Sequence, residues 1–65
     1  MDQKEIGKRL RDLRGERKIE EIAEFCGVTK SAISNYEQGI RIPKDSIKVK
    51  LAQCYGKSVA EIFFA

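Results

Sequence analysis

The chain has 65 residues and a formal net charge of +3, with 35% of its residues charged. We expect residues 1–65 to form one domain whose single small core leaves no room for a deep substrate cavity, and the excess positive charge favours a polyanionic partner. Two cysteines without any histidine exclude a standard four-ligand zinc site. No apolar run approaches the roughly 18 residues that span a bilayer, so we expect no membrane partner. We also expect no metal, cofactor or small-molecule ligand.

The first predicted helix begins near Asp2 and ends near Gly15. Asp2 and Glu5 have the spacing of a capping box. Apolar residues then recur at the helical period and form one stripe, which comprises Ile6, Leu10 and Leu13. The remaining positions give a basic outer face, made of Lys4, Lys8, Arg9, Arg11, Arg14 and Arg17. We expect this face to be solvated, with part of it able to flank a phosphate backbone.

Two further helices are predicted on either side of Gly27. The second helix runs from Lys18 to Cys26, and its apolar positions are Ile19, Ile22, Ala23 and Cys26, with Phe25 adding bulk. Gly27 fits the left-handed residue that ends a helix. Thr29 is a good N-cap for a third helix over Lys30 to Gln38, which Gly39 closes. Two helices joined by a short turn that contains glycine form the helix-turn-helix motif.

The third helix is predicted to have two different faces. Ile33 and Tyr36 are three residues apart and lie near Ala32, so this side is expected to be buried. The other side is polar throughout and comprises Lys30, Ser31, Ser34, Asn35 and Gln38. Small polar and basic side chains of this kind can enter a DNA groove.

Two further helices complete the predicted all-α, compact five-helix domain. A loop with the only proline, Pro43, leads to a fourth helix that begins near Asp45 and ends at Gly56. Its core residues are expected to be Ile47, Leu51, Cys54 and Tyr55. Ser58 and Glu61 form a capping box for a fifth helix that carries Val59, Ile62 and Phe63. No segment alternates apolar and polar residues, so we expect no strands.

Both cysteines lie at helix positions where apolar residues are expected. Cys26 and Cys54 are therefore interpreted as small buried hydrophobic residues. A disulfide between them is possible in principle. Since no secretory signal precedes Asp2, we expect a reducing, cytoplasmic environment that disfavours one.

The second and third helices also carry a family resemblance. Residues 27–39 read Gly-Val-Thr-Lys-Ser-Ala-Ile-Ser-Asn-Tyr-Glu-Gln-Gly. This resembles the pattern Gly-Val-Ser-x-x-x-Ile-Ser-x-Trp/Tyr-Glu-x-Gly of the Cro/repressor-type, or XRE-like, helix-turn-helix proteins. Supporting matches extend from Ile6 to Phe63 and include residues 6–11, Pro43, Leu51, Ala52, Gly56 and Ser58. The resemblance implies a lambda-repressor-like fold in which helices 2 and 3 form the helix-turn-helix and helix 3 lies in the major groove.

The resemblance also implies a role for individual side chains. Base contacts are expected from Lys30, Ser31, Ser34 and Asn35. Phosphate contacts are expected from Thr29, Gln38, Arg41 and Lys44. Lys30 can donate to guanine O6 and N7, and Asn35 can pair with adenine N6 and N7. For Ser31 and Ser34, an exposed helix surface without a binding role is the alternative.

Two further expectations concern orientation and assembly. Arg14 and Glu37 resemble an arginine–glutamate pair that joins helices 1 and 3 and orients helix 3. One recognition helix reads too few bases for useful discrimination, so we expect a homodimer on a pseudo-palindromic operator, with the two helices about 34 Å apart. Ile62, Phe63 and Phe64 are expected at that interface. Alternatively, Phe63 caps the core and Phe64 is merely an exposed end.

The start of helix 2 departs from the family pattern. Many relatives open this helix with a Ser/Thr-Gln pair whose glutamine touches the DNA backbone. Here Lys18, Ile19 and Glu20 occupy the region and the preceding connection is shorter, so no site residue is expected there.

The sequence thus predicts a sequence-specific, double-stranded DNA-binding transcriptional regulator of prokaryotic or phage type that acts as a repressor. The alternative is an antitoxin-like protein-interaction module with secondary DNA binding, although such a surface would favour aromatic residues and methionine on helix 3. An enzyme is not expected, because the chain has no histidine and no glycine-rich phosphate loop or other recognisable catalytic set.

Overall fold

A computed structural model describes residues 2–65, and its secondary structure in that range is entirely helical. The helices are α1 (Gln3–Arg14), α2 (Ile19–Cys26), α3 (Lys30–Glu37), α4 (Asp45–Tyr55) and α5 (Val59–Phe63). The predicted all-α, five-helix class is therefore confirmed. The boundaries differ slightly, since α2 begins one residue later than predicted and α3 ends one residue earlier.

Side chains at three helix starts satisfy backbone N–H groups that have no partner within the helix. In α1 the Asp2 carboxylate accepts a hydrogen bond from the Lys4 backbone N–H at 2.9 Å, rather than from Glu5 as the capping box would require. In α5 the predicted capping box is present, because Ser58 Oγ accepts from the Glu61 N–H and Glu61 Oε1 accepts from the Ser58 N–H. In α3 the side chain of Thr29 is the cap.

The core forms where all five helices meet. Each helix supplies one aliphatic side chain that is almost completely buried, and these are Leu10, Ile22, Ile33, Leu51 and Ile62. The Tyr36 and Phe63 rings extend the same cluster. Burial of one Leu or Ile side chain stabilises a fold by about 1.5–3 kcal/mol. These contacts hold one face of α3 against the core, and the other face is left to solvent.

Two apolar residues are placed differently from the sequence expectation. Phe25, which was expected to add bulk to the core, is 52% exposed. At 3.6 residues per turn, the core-facing stripe of α2 runs through Ile22 and Cys26, and Phe25 lies outside it. Cys54 is only half-buried, and its Sγ accepts a hydrogen bond from Arg17 at 3.2 Å. The expectation of two buried cysteines therefore holds for Cys26 alone.

Both thiols are free. Burial raises the pKa of the Cys26 thiol to about 11, so this side chain stays protonated and unreactive at neutral pH. Within residues 2–65, no helix has the length and hydropathy that a bilayer crossing requires. Over the same range, no three His, Cys, Asp or Glu side chains are grouped so that they could hold a metal ion.

Candidate nucleic-acid interface

The turn between α2 and α3 sets the start of the candidate recognition helix. Gly27 adopts a left-handed conformation with φ 70° and ψ 33°, and its backbone N–H donates to the last turn of α2. Thr29 then caps α3, because its Oγ1 accepts a hydrogen bond from the Ala32 N–H at 3.1 Å. Glycine has no Cβ that would clash in this conformation, so the connection needs only residues 27–29 and α3 begins at Lys30.

A double hydrogen bond fixes the other end of α3. Arg14 Nε and Nη2 donate to the two carboxylate oxygens of Glu37 at 2.8 and 3.1 Å. The Arg14 and Glu37 side chains are only 14% and 6% exposed, and the hydrogen bond to Glu37 raises the pKa of Arg14. Arg14 Nη1 also donates to the Arg17 carbonyl at 2.7 Å. The pair therefore joins α1, the α1–α2 connection and α3. The Arg14 guanidinium also balances the negative charge of the Glu37 carboxylate.

The polar face of α3 is the surface expected to read bases. Its side chains lie within about 140° of arc at 100° per residue, and they are Lys30, Ser31, Ser34, Asn35 and Gln38. Lys30 and Ser31 are exposed, whereas Ser34 and Asn35 are half-buried. Gln38 Nε2 donates to Ser34 Oγ at 2.7 Å. Gln38, which was expected on a phosphate, thus points back along α3 in this structure.

Asn35 is fixed by the loop that follows α3. Its backbone carbonyl accepts hydrogen bonds from the Ile40 and Arg41 N–H groups at 3.0 and 3.3 Å. The Arg41 and Lys44 side chains are exposed on this loop and at the N-cap of α4, while Pro43 between them is buried. Since both loop amides are occupied, a phosphate contact at Arg41 has to come from its guanidinium group.

Glu20 is a residue that sequence reasoning did not assign to this surface. Its Oε2 lies 3.5 Å from Lys30 Nζ, and the two side chains are 62% and 65% exposed. A hydrogen bond from its own backbone N–H and the charge of Lys30 lower the pKa of Glu20. The pair borders a shallow hollow that Ile19, Ser31 and Ser34 also line. The sequence places Glu20 and Lys30 in the first turns of two consecutive helices, but their contact depends on the angle between those helices.

The C-terminal aromatic residues require a correction. Ile62 and Phe63 were expected at a dimer interface, but their side chains are 0% and 3% exposed within this chain, because α5 turns them into the core between α1 and α4. Phe64 is 68% exposed. Lys48 Nζ lies 5.3 Å from the centre of the Phe64 ring and 5.6 Å from the centre of the Phe63 ring. Only Phe64 therefore remains a predicted interface residue.

Comparison with known proteins finds similar helical domains. The helix-turn-helix family model matches residues 8–62. The transcriptional repressor RstR of the cryptic phage CTXphi from Vibrio cholerae is 43% identical over a region that covers 83% of this chain and 50% of that repressor. The chain thus spans half the length of that relative.

Solved structures give the same architecture. The restriction-modification controller protein C.AhdI from Aeromonas hydrophila has a TM-score of 0.83 and 29% identity, with 92% of this chain and 94% of that protein covered. The clp gene regulator ClgR from Corynebacterium glutamicum has a TM-score of 0.83 and 24% identity, covering 92% of this chain and 66% of that protein. The second likeness is one of fold alone.

Proposed function

The chain belongs to the helix-turn-helix family of Cro/repressor-type, or XRE-like, proteins, and from this premise we propose that it is a DNA-binding transcriptional regulator. The polar face of α3 enters the major groove and reads bases through Lys30, Ser31, Ser34 and Asn35. The observation that carries the proposal is that this face is held outward by the core on one side and by the Arg14–Glu37 pair at its end.

Affinity comes mainly from cations next to that face. Arg41 and Lys44 are exposed just beyond α3, and Thr29 and Gln38 flank it. Neutralising a phosphate releases condensed counterions, which supplies binding free energy that is independent of sequence. We therefore assign Arg41 and Lys44 to the backbone and the α3 side chains to the bases.

The exposed residues of α3 do not favour the alternative, an antitoxin-like interaction module. The large apolar side chains exposed in residues 2–65 are Phe25, Ile40, Ile42, Val49 and Phe64, and α3 contributes none of them. An interface core would be enriched in aromatic residues and methionine. The site also offers no acid–base or nucleophile set, so we propose a regulator without enzymatic activity.

Assembly and mode of action complete the proposal. A homodimer would place two α3 helices about 34 Å apart on a pseudo-palindromic operator, with the exposed Phe64 contributing to the subunit contact. The match to a phage transcriptional repressor supports repression as its action. A regulator that acts on chromosomal or phage DNA would work in the cytoplasm.

The phosphate contacts can be tested by charge removal. We expect Arg41→Ala and Lys44→Ala each to weaken binding to every duplex sequence and to reduce the slope of log K against log salt by about one unit. Fluorescence anisotropy of a labelled duplex, titrated between about 50 and 200 mM salt, measures this slope. Lys57→Ala is the control, because Lys57 borders α1 and α5 instead of α3. Slopes for Arg41→Ala and Lys44→Ala equal to that of the control would reject the assignment.

The base contact of Asn35 gives a different pattern. Asn35→Ala should lower affinity for the preferred site by about 1–3 kcal/mol and relax the preference at one base pair, because the amide that pairs with adenine N6 and N7 is lost. Binding to a panel of single-base-pair variants of that site measures the preference. Gln53→Ala removes an exposed amide from α4 and should change nothing. An equal loss on all members of the panel would show that Asn35 does not read a base.

A further inference from the structure

The Glu20–Lys30 pair places a carboxylate on the surface proposed to face DNA. Lys30 is the first residue of α3, and Glu20 reaches it from the first turn of α2. Both side chains are about two-thirds exposed, so the pair contributes little to the stability of the fold. A carboxylate at this place also repels backbone phosphates. The N-terminus of α2 favours a carboxylate at this position, and Lys30 gives Glu20 a charged partner on the face proposed to read bases.

An unpaired lysine would be a poor reader of sequence. The ammonium group is a point charge on a flexible stem, and it binds any phosphate or base acceptor within reach. With Glu20 beside it, the local charge is close to zero, and contact with a phosphate then brings little counterion release. Glu20 thus weakens binding of Lys30 to the DNA backbone, which every sequence offers equally.

A G·C base pair suits the two groups together. Its major-groove edge presents guanine N7 and O6 as neighbouring acceptors, followed by the cytosine N4 amino group as a donor. Lys30 can donate to the guanine acceptors, while Glu20 accepts from N4. An A·T pair instead places the adenine amino donor between its two acceptors, and a phosphate offers acceptors only. The neighbouring ammonium and carboxylate groups therefore match the G·C edge best.

We propose that Glu20 is a specificity-determining residue, which acts with Lys30 to read one G·C base pair in each half-site and reduces binding to other DNA. This inference rests on the proposed DNA-binding function. It assigns a base contact to α2 as well as to α3.

The test compares Glu20→Gln with the wild type on two kinds of DNA. On a mixed-sequence duplex without a site, Glu20→Gln should bind about three- to tenfold more tightly, with a salt slope steeper by about one unit, because Lys30 is freed to bind a phosphate. On duplexes enriched from a random library and then varied at each base pair, it should lose about tenfold of discrimination at a single G·C position. Lys30→Met should lose discrimination at the same position.

Glu21→Gln is the matched control. It removes the same charge from the first turn of α2. Both glutamates line the hollow with Glu24 and Phe25, but only Glu20 also lines the hollow with Lys30. Equal behaviour of Glu20→Gln and Glu21→Gln would overturn the inference, and so would tighter binding by Glu20→Gln with unchanged base preference. Failure of the proposed function is distinguishable, because the wild type itself would then show no salt-dependent binding to any duplex.

Discussion

Gly7→Ala is expected to destabilise the domain by about 3 kcal/mol, at the upper end of the usual cost of overpacking. A Cβ on Gly7 would lie 2.5 Å from the Glu37 carbonyl oxygen and 2.7 Å from that of Tyr36. These are backbone atoms that cannot rotate away, so α1 would have to move off the C-terminal end of α3. Alanine in a helix is intrinsically favoured over glycine by about 1 kcal/mol, and here the clash outweighs that gain.

Urea denaturation followed by far-ultraviolet circular dichroism measures the effect. Gly27→Ala is the control, because a Cβ there meets nothing within 4 Å and only the φ of +70° opposes it. A single residue in the left-handed region costs about 1–2 kcal/mol. The close approach at Gly7 should therefore cost more than the conformational strain at Gly27. A Gly7→Ala variant as stable as the wild type would mean that α1 and α3 are not packed this closely.

Arg14→Met should destabilise the domain by about 2–3 kcal/mol, somewhat below the range for fully buried pairs because Arg14 keeps some exposure. The substitution leaves the Glu37 carboxylate, which is 6% exposed, without its bidentate partner. It also removes the hydrogen bond that Arg14 donates to the Arg17 carbonyl. Arg11→Met, on the exposed side of the same helix, should stay within about 0.5 kcal/mol of the wild type.

A double-mutant cycle separates the pair from the individual side chains. If the loss in Arg14→Met comes from the unpaired carboxylate, adding Glu37→Leu should recover part of it, since a buried ion pair can often be replaced by apolar residues at little cost. The same urea series measures the coupling between the two positions. Strictly additive losses would show that Arg14 and Glu37 act independently and that their pairing does not hold α3 in place.

The helices were predictable because their signals are local. Asp2, Thr29 and Ser58 are caps that act within three residues, and Gly27 ends a helix through its own backbone conformation. The apolar repeat of each helix is likewise contained in that helix. These features determine where the chain becomes helical whatever the final packing.

The features that the sequence did not predict depend on which helix surfaces meet. Whether Phe25 or Phe63 is buried follows from the rotation of α2 and α5 against the core. The approach of Gly7 to α3 involves residues about thirty positions apart. Whether Glu20 and Lys30 come within contact distance depends on the angle between α2 and α3. Local patterns do not contain this information.

Selection of the wild-type protein against a library of random duplex DNA tests the central proposal most directly. We expect an enriched, pseudo-palindromic site whose two halves are centred about one helical turn apart, with Asn35→Ala and Lys30→Met each losing the preference at a different base pair. Enrichment of no sequence at any salt concentration, or an enriched site that α3 variants leave unchanged, would contradict it.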